Sequence, residues 1–165
     1  MVLLRLSKIV MVGGLAAYAL LVAFGNITDY GSNFAFIQHV MNMDTTFPGN
    51  RLMYRAITSP TLHHIAYCAI IAGEALTGIV LAIAAWRLWA ARGDAAGFAA
   101  AKGIVALGAA LAFLIWFVGF LVIAGEWFAM WQSATWNGQE SAFRFVASFL
   151  LVTVFVMMPE RAERS

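Results

Sequence analysis

The apolar positions of this chain fall into four long stretches, which shorter polar segments separate. Within each stretch the hydrophobic residues continue almost without interruption. Each stretch is close to the roughly 20 residues that a helix needs to cross a hydrocarbon layer of ~30 Å. The pattern therefore predicts four transmembrane helices, at about residues 9–25, 62–88, 102–126 and 142–158.

The composition favours a single integral membrane domain over residues 1–165, of the all-α class. Hydrophobic residues make up 63% of the sequence and charged residues 11%, whereas a soluble domain carries about 25% charged residues. We expect the lipid bilayer to be the main partner, and the scattered net charge of +2 gives no indication of nucleic-acid binding. The single cysteine, Cys68, excludes an internal disulfide framework and is typical of a small, inert hydrophobic residue.

Lys and Arg residues are distributed unevenly between the two ends of the predicted helices, with seven at one end and three at the other. The seven are Arg5, Lys8, Arg87, Arg92, Lys102, Arg161 and Arg164, and the three are Arg51, Arg55 and Arg144. Positively charged loops stay in the cytoplasm. We therefore expect a protein of the bacterial inner membrane with both termini in the cytoplasm and residues 26–60 outside.

The first apolar run has features of a secretory signal. Arg5 and Lys8 precede it, and Ala23-Phe24-Gly25 resembles a cleavage site. The run has about 16 residues, however, which exceeds the usual 7–15 of a signal sequence. We interpret it as an uncleaved first transmembrane helix.

Residues 26–60 form the only long polar segment, and their pattern predicts a folded extracytoplasmic cap between the first and second transmembrane helices. Ser32 or Asn33 would begin an amphipathic helix in this segment. The apolar face of that helix comprises Phe34, Ile37, Val40 and Met41. Ser59 followed by Pro60 is typical of the start of a helix, here the second transmembrane helix. The fold that we expect is a four-helix transmembrane bundle with this cap.

Small residues spaced by four predict where the helices touch, because they let two backbones approach closely. Ala69, Gly73 and Thr77 form such a row on the second predicted helix. Gly108 and Ala112 form a shorter row on the third.

Motifs in the cap and in the second helix resemble those of a bacterial family of predicted small integral membrane proteins of unknown function. The motifs are Asn26-Ile27-Thr28-Asp29-Tyr30-Gly31-Ser32-Asn33, His39-Val40-Met41-Asn42-Met43-Asp44-Thr45-Thr46-Phe47, Tyr67 and Ile70-Ile71-Ala72-Gly73-Glu74. The resemblance covers nearly the whole chain. It implies a four-helix protein of the inner membrane and supplies no activity, cofactor or catalytic residue.

Glu74 is the candidate membrane-embedded acid. It lies about 14 residues into the second predicted helix. Because a helix rises ~1.5 Å per residue, this position is near the bilayer middle. An ionisable group at that depth is costly and points to a function, such as a proton-coupled site. The alternative is a structural role, in which Glu74 is protonated or hydrogen-bonded to Thr77, Tyr67 or Tyr18.

Histidine and methionine side chains raise the question of a bound metal. His39, Met41 and Met43 are soft ligands at alternate positions and would suit Cu(I) if the segment were extended, although the amphipathic helix predicted there competes with that conformation. His63 and His64 are adjacent and point about 100° apart on a helix, which disfavours haem. We expect no cofactor.

Two pairs of charged residues are candidates for structural roles. Glu140 and Arg144 are spaced i and i+4, which predicts a surface ion pair of a few tenths of a kcal/mol. Arg51 and Arg55 share a face of the cap segment. They could meet anionic headgroups or Asp29 and Asp44, and we interpret the two arginines as a lock between the cap and the bundle.

The motifs of common enzymes are not found in the sequence, since it has no strained serine elbow, phosphate-binding glycine loop or paired carboxylates. The first hypothesis is therefore an accessory or scaffold component of a larger membrane complex or homo-oligomer. Residues of the cap would make the interaction: Asp29, Tyr30, Asn33, Phe34, His39, Asp44 and Phe47. The alternatives are a small oligomeric proton-coupled transporter that uses Glu74, and copper or redox handling at the outer face.

Overall fold

The computed structural model describes residues 2–160, and over this range the fold is all-helical. Five α-helices follow one another along the chain: α1 Val2–Thr28, α2 Tyr30–Asn42, α3 Pro60–Ala90, α4 Ala95–Ala112 and α5 Gln139–Met157. A π-helix and two 3₁₀ turns complete the helical segments: Phe113–Trp127, Met53–Arg55 and Met130–Gln132. Four helices are long and apolar enough to cross a membrane, which confirms the predicted number; they are α1, α3, α4 with its π-helical continuation, and α5.

The third of these spans has an unusual backbone. α4 continues directly into the π-helix, so that Ala95–Trp127 is one rod of 33 residues, which we call the α4–π rod. Each N–H in a π-helix donates to the carbonyl five residues earlier, and Phe128 donates to the Ile123 carbonyl oxygen in this way at 3.1 Å. Hydropathy predicts a helix at this position but does not predict its winding.

The two ends of the bundle differ. α2 and residues 128–138 lie at one end, the capped end, and the start of α1 and the end of α5 lie at the other, the terminal end. At the terminal end Glu160 Oε1 accepts hydrogen bonds from Lys8 Nζ at 2.6 Å and from Lys102 Nζ at 2.9 Å. Arg5 Nη1 also donates to the Arg92 carbonyl oxygen at 2.7 Å. These contacts join α1, α4 and the chain after α5.

Two apolar clusters form the core. The larger fills the bundle below the cap, with Val12, Leu81 and Val105 fully buried at its centre. Glycines allow close packing there, since a Cβ at Gly108 would overlap the side chain of Leu81, and one at Gly73 would overlap Ile115. These contacts confirm that Gly73 and Thr77 of the first predicted row and both residues of the second lie where helices meet, whereas Ala69 is exposed.

The second cluster lies under α2. Ile37, Val40 and Met41 of α2 are buried there with Tyr67, Phe128 and Met130. The cap segment therefore contains the predicted helix, although α2 begins at Tyr30 and not at Ser32 or Asn33. The start of α3 is as predicted, because the Ser59 side chain accepts a hydrogen bond from the Leu62 N–H and Pro60 is the first helical residue.

Candidate binding site at the capped end

Glu74 is buried between α1 and α3, with 2% of its surface exposed. Asn26, in the last turn of α1, donates from Nδ2 to Glu74 Oε2 at 2.7 Å. The Tyr67 hydroxyl donates to the Asn26 carbonyl oxygen at 3.2 Å and so fixes the end of α1 against α3. Within residues 2–160, no side chain or backbone group donates a hydrogen bond to Glu74 Oε1.

The partners that the sequence suggested for Glu74 are wrong. The Thr77 hydroxyl donates to the Gly73 carbonyl oxygen within α3, and Tyr18 stacks on Phe145 with ring centroids 4.4 Å apart. Tyr67 reaches the backbone of Asn26 and not the carboxyl group. The amide of Asn26 replaces them because α1 ends beside the middle of α3.

The depth of Glu74 also differs from the expectation. Its position in α3 suggested the bilayer middle, since about 21 Å of helix precede it at ~1.5 Å per residue. α1 ends at this level, however, and α5 begins there. Glu74 therefore lies at the capped-end edge of the layer that all four spans share, because α3, with 31 residues, is longer than α1 or α5.

A cavity of about 340 Å³ opens next to this carboxyl group, and we call it the Glu74 cavity. Asn33, Asn137 and Ser141 are exposed and form its mouth, whereas Glu74 and the half-buried Asn26 lie deeper. Its walls are apolar and include Val22, Ile70, Trp116, Phe120 and Phe145. The lining contains one acidic residue and no Lys, Arg or His, so the site suits a ligand that is neutral or positively charged.

A second and larger cavity, of about 640 Å³, lies between α2, α3 and the π-helix, and we call it the lateral groove. Its lining is entirely apolar. Four residues line both the groove and the Glu74 cavity, and they form the wall between the two: Phe36, Ile37, Ile70 and Phe120.

Aromatic and histidine side chains join α2 to the start of α3. The Tyr30 hydroxyl lies 2.7 Å from His64 Nδ1, and the ring of Phe34 stacks on His64 with centroids 4.1 Å apart. Desolvation raises the pKa of Tyr30, with a further contribution from the hydrogen bond to Cys68, so its hydroxyl stays protonated and able to donate. His63 is buried, with Nε2 2.6 Å from the Ile57 carbonyl oxygen. Both histidines of this pair have structural contacts.

The three candidate copper ligands have different surroundings. His39 pairs with Asp44 at 2.9 Å and stacks on Trp136 with ring centroids 4.6 Å apart. Met41 and Met43 are buried in the cluster under α2. Residues 2–160 hold no group of three or more His, Cys, Asp or Glu side chains arranged to bind a metal ion.

The other candidate cap residues are spread over the capped end. Asn33 lies at the mouth of the Glu74 cavity. Asp29 is exposed at the start of α2 and makes no capping hydrogen bond. Phe47 is exposed and packs edge-on against Trp131.

Comparison with known proteins identifies the family. The family model described as "Predicted small integral membrane protein (DUF2165)" matches residues 4–159. The chain belongs to this family. No curated protein and no solved structure matches it. The description of this small integral membrane protein family names no ligand, partner or reaction, so the candidate site rests on geometry.

Sequence reasoning missed several residues of this family member that the structure brings together. Asn26, Asn137 and Ser141 line the Glu74 cavity, and each is a polar residue at the end of an apolar helix, a position too common to single them out. Lys102 entered only the charge count, and Lys8 only that count and the signal-sequence argument, although both bind Glu160. The one signal that the sequence offered was a lysine at the start of each of two apolar runs.

The predicted charged contacts at the capped end are confirmed for Glu140 with Arg144 and for Arg55, whereas Arg51 is exposed. Arg144 and Glu140 form an exposed i, i+4 ion pair at 3.8 Å. Arg55 locks the cap segment to the bundle, but through the π-helix: it lies over the Trp127 ring at 4.8 Å and donates to the carbonyl oxygens of Glu126 and Trp127 at 3.4 and 3.3 Å.

Proposed function

We propose that this membrane protein binds a small ligand in the Glu74 cavity, on the extracytoplasmic face of the bacterial inner membrane. The ligand carries hydrogen-bond donors and is neutral or cationic. The observation that carries the proposal is the Glu74 carboxyl group itself, which is buried, held by Asn26 through one oxygen, and has its other oxygen available to the cavity.

The cavity favours binding over chemistry. Covalent catalysis needs a nucleophile beside a base, and neither hydroxyl group of the lining, Tyr67 or Ser141, is hydrogen-bonded to Glu74. The polar lining consists of amides, hydroxyl groups and the one carboxyl group. These groups orient a ligand and select it by charge.

A carrier is the form of this proposal that agrees best with the difference between the two ends of the bundle, one open and one closed. The Glu74 cavity opens at the capped end through exposed residues. The terminal end is closed by the buried contacts of Lys8, Lys102 and Glu160. A carrier alternates between states open at opposite ends, and ion pairs that break and reform are suited to closing one end.

The proposal is tested with N,N′-dicyclohexylcarbodiimide, an apolar reagent that modifies protonated carboxyl groups in apolar surroundings. Membranes that contain the tagged chain are treated with and without an excess of the short cation N,N-dimethylpropylammonium, and modified peptides are mapped by mass spectrometry. We expect Glu74 to be modified and the cation to slow its modification, while any reaction of the exposed Glu140 is unaffected. Unreactive Glu74, or modification that the cation does not change, contradicts the proposal.

An accessory role in a larger complex is the second candidate. Large aromatic side chains are exposed on the capped end outside the four spans: Phe47 at 55%, Tyr54 at 76% and Trp131 at 48%. Such residues are enriched in the centres of protein interfaces.

Gentle extraction of a tagged chain tests the accessory role, with native gels and mass spectrometry of co-purifying proteins. A stoichiometric partner that is lost in the double variant Phe47→Ser, Trp131→Ser supports it. The control is Leu151→Ser, which changes an exposed residue on α5 away from the cap. If both variants retain the same proteins, this surface is not the interface.

A further inference from the structure

The lateral groove and the Glu74 cavity together indicate what kind of ligand the site takes. We propose that it is a single-chain cationic amphiphile, with an amine head in the cavity beside Glu74 and a hydrocarbon chain in the groove. This inference rests on the proposed function and adds the chemical class of the ligand.

The groove has the size and lining of a site for a hydrocarbon chain. Its volume of about 640 Å³ falls within the ~300–1,000 Å³ of small-molecule sites, which are mostly apolar with a few polar groups that fix orientation. The groove provides only the apolar part of such a site. The polar part lies directly behind the wall that it shares with the Glu74 cavity.

The groove opens sideways, between α3 and the π-helix. Val122, Ile123 and Trp127 line it and are exposed, as is the nearby Ile65 of α3. This surface belongs to the long spans Pro60–Ala90 and Ala95–Trp127. Because Ile65, Val122 and Trp127 lie closer to the capped end than Glu74 does, a chain that enters here comes from the membrane surface at that end.

A ligand that occupies both cavities has to pass the shared wall, so this wall sets where the head joins the tail. Phe36 of α2 and Phe120 of the π-helix face each other in this wall with ring centroids 6.2 Å apart. Ile70, on α3, completes it on the side nearest Glu74, one helical turn away. The head of the amphiphile then lies on the Glu74 side of these rings and its chain on the other.

The charge of the site selects an amine. An ionised carboxylate in apolar surroundings is costly unless a cation pairs with it, and the lining of the cavity supplies no basic side chain. An ammonium head would pair with the carboxylate, while the side-chain amides of Asn33 and Asn137 offer oxygen acceptors at the mouth. A phosphate, sulfonate or carboxylate head would meet the acid, since the basic group at the mouth, Arg144, is exposed and already bonded to Ser141 and Glu140.

Three probes separate head from tail. N,N-dimethyldodecylamine has both features, N,N-dimethylpropylamine has the head alone, and dodecyl sulfonate has the chain with an anionic head. Each is titrated at matched concentration into the purified chain in a non-ionic detergent, and native mass spectrometry measures the bound fraction. We expect the long amine to bind roughly tenfold or more tightly than the short one because its chain is buried, and more tightly than the sulfonate.

Variants locate the two halves of the site. Ala66→Phe fills the groove from α3 without touching the Glu74 cavity, since Ala66 lines only the groove. Its matched control is Ala69→Phe on an exposed face of the same helix. We expect Ala66→Phe to weaken binding of the long amine and to leave binding of the short amine unchanged. Ala69→Phe should change the binding of neither amine. Glu74→Gln should weaken the binding of both. Thermal unfolding curves establish that each variant is folded.

The outcomes distinguish the two proposals. If both amines bind equally in the wild type, or if Ala66→Phe has no effect on the long amine, the groove does not hold the chain and this inference is overturned while the proposed function stands. If the sulfonate binds as well as the long amine, the selection of a cation is overturned. If neither amine binds the wild type, or Glu74→Gln binds both as tightly, both proposals are overturned.

Discussion

At the scale of single residues, the capped end depends on one side-chain hydrogen bond. A buried polar group without a partner is destabilising by more than its hydrogen bond contributes when formed. Asn26 is the group that satisfies Glu74 Oε2, and its own backbone is held by Tyr67. The stability of this end of α1 and the availability of the carboxyl group for a ligand therefore involve the same side chain.

We expect Asn26→Ala to lower the free energy of unfolding by about 1–2 kcal/mol, the range of interhelical hydrogen bonds in membranes. Asn33→Ala is the control, because Asn33 is exposed at the mouth of the same cavity and its loss should change stability by less than about 0.5 kcal/mol. Unfolding in a titration of denaturing detergent measures both. Equal stability of the two variants would show that the hydrogen bond from Asn26 to Glu74 does not stabilise the fold.

Glu160 is the corresponding residue at the terminal end. Burial acts to raise the pKa of its carboxyl group, but the hydrogen bonds and positive charges of Lys8 and Lys102 outweigh burial and lower that pKa to about 2. A carboxyl group whose pKa is lower in the folded than in the unfolded chain stabilises the fold at pH values above its ordinary pKa. That stabilisation is lost as the pH falls from about 4.5 towards about 2.

We therefore expect Glu160→Gln to be less stable than the wild type at neutral pH, because two lysines keep their charge without the carboxylate. The difference should shrink as the pH is lowered below about 4.5, since the wild type then loses the same contact. Unfolding temperatures across this pH range measure the effect. Glu140→Gln, which removes the exposed ion pair with Arg144, should differ little from the wild type throughout, and a constant gap for Glu160→Gln would contradict the assignment.

At the scale of helices, the close packing of α4 against α3 depends on the position of a glycine. Gly108 and Gly103 are both on α4, but only Gly108 faces another helix closely, at Leu81. A Cβ at Gly103 meets no atom within 4 Å. The two positions therefore separate helix packing from helix propensity.

We expect Gly108→Ala to destabilise the protein by about 1–3 kcal/mol, as overpacking in a core does. Gly103→Ala should be neutral or stabilise by up to about 1 kcal/mol, because alanine is the better helix former. Unfolding measurements on both variants under one set of conditions test this difference. If both variants change the free energy of unfolding with the same sign and size, the contact between Gly108 and Leu81 does not limit helix packing.

Hydropathy was sufficient to predict the helices, and local motifs such as Ser59 before Pro60 were sufficient to predict where α3 begins. Both signals lie within a few residues of the feature that they predict. The pairing of Glu74 with Asn26 joins residues 48 apart and depends on where α1 stops relative to α3, which no local pattern records. The π-helical winding of Phe113–Trp127 is likewise independent of hydrophobicity, since an α-helix of the same sequence is equally apolar.

At the scale of the whole molecule, orientation connects the fold to the proposed site. The Glu74 cavity opens at the capped end, so the direction in which the chain crosses the membrane decides which compartment supplies the head of the ligand. The count of Lys and Arg residues predicts that this end lies outside the cytoplasm.

Single cysteines test this orientation. In a Cys68→Ser background, Ala134→Cys introduces a thiol at the exposed capped end and Ala96→Cys one at the exposed terminal end. We expect a membrane-impermeant maleimide to label Ala134→Cys in intact bacteria and Ala96→Cys only after the inner membrane is permeabilised. The reverse pattern would place the cavity on the cytoplasmic side.

The ion pair between Lys8 and Glu160 has a consequence for biosynthesis. Lys8 precedes its partner Glu160 by 152 residues, so at ~5–20 residues per second it leaves the ribosome roughly 8–30 s before that partner. During this interval Lys8 and then Lys102 are cations without their carboxylate, which is the state in which a positive charge holds a helix end in the cytoplasm during insertion. With the predicted orientation, the same lysines would first direct how the helices insert into the membrane and would bind Glu160 only after synthesis of α5.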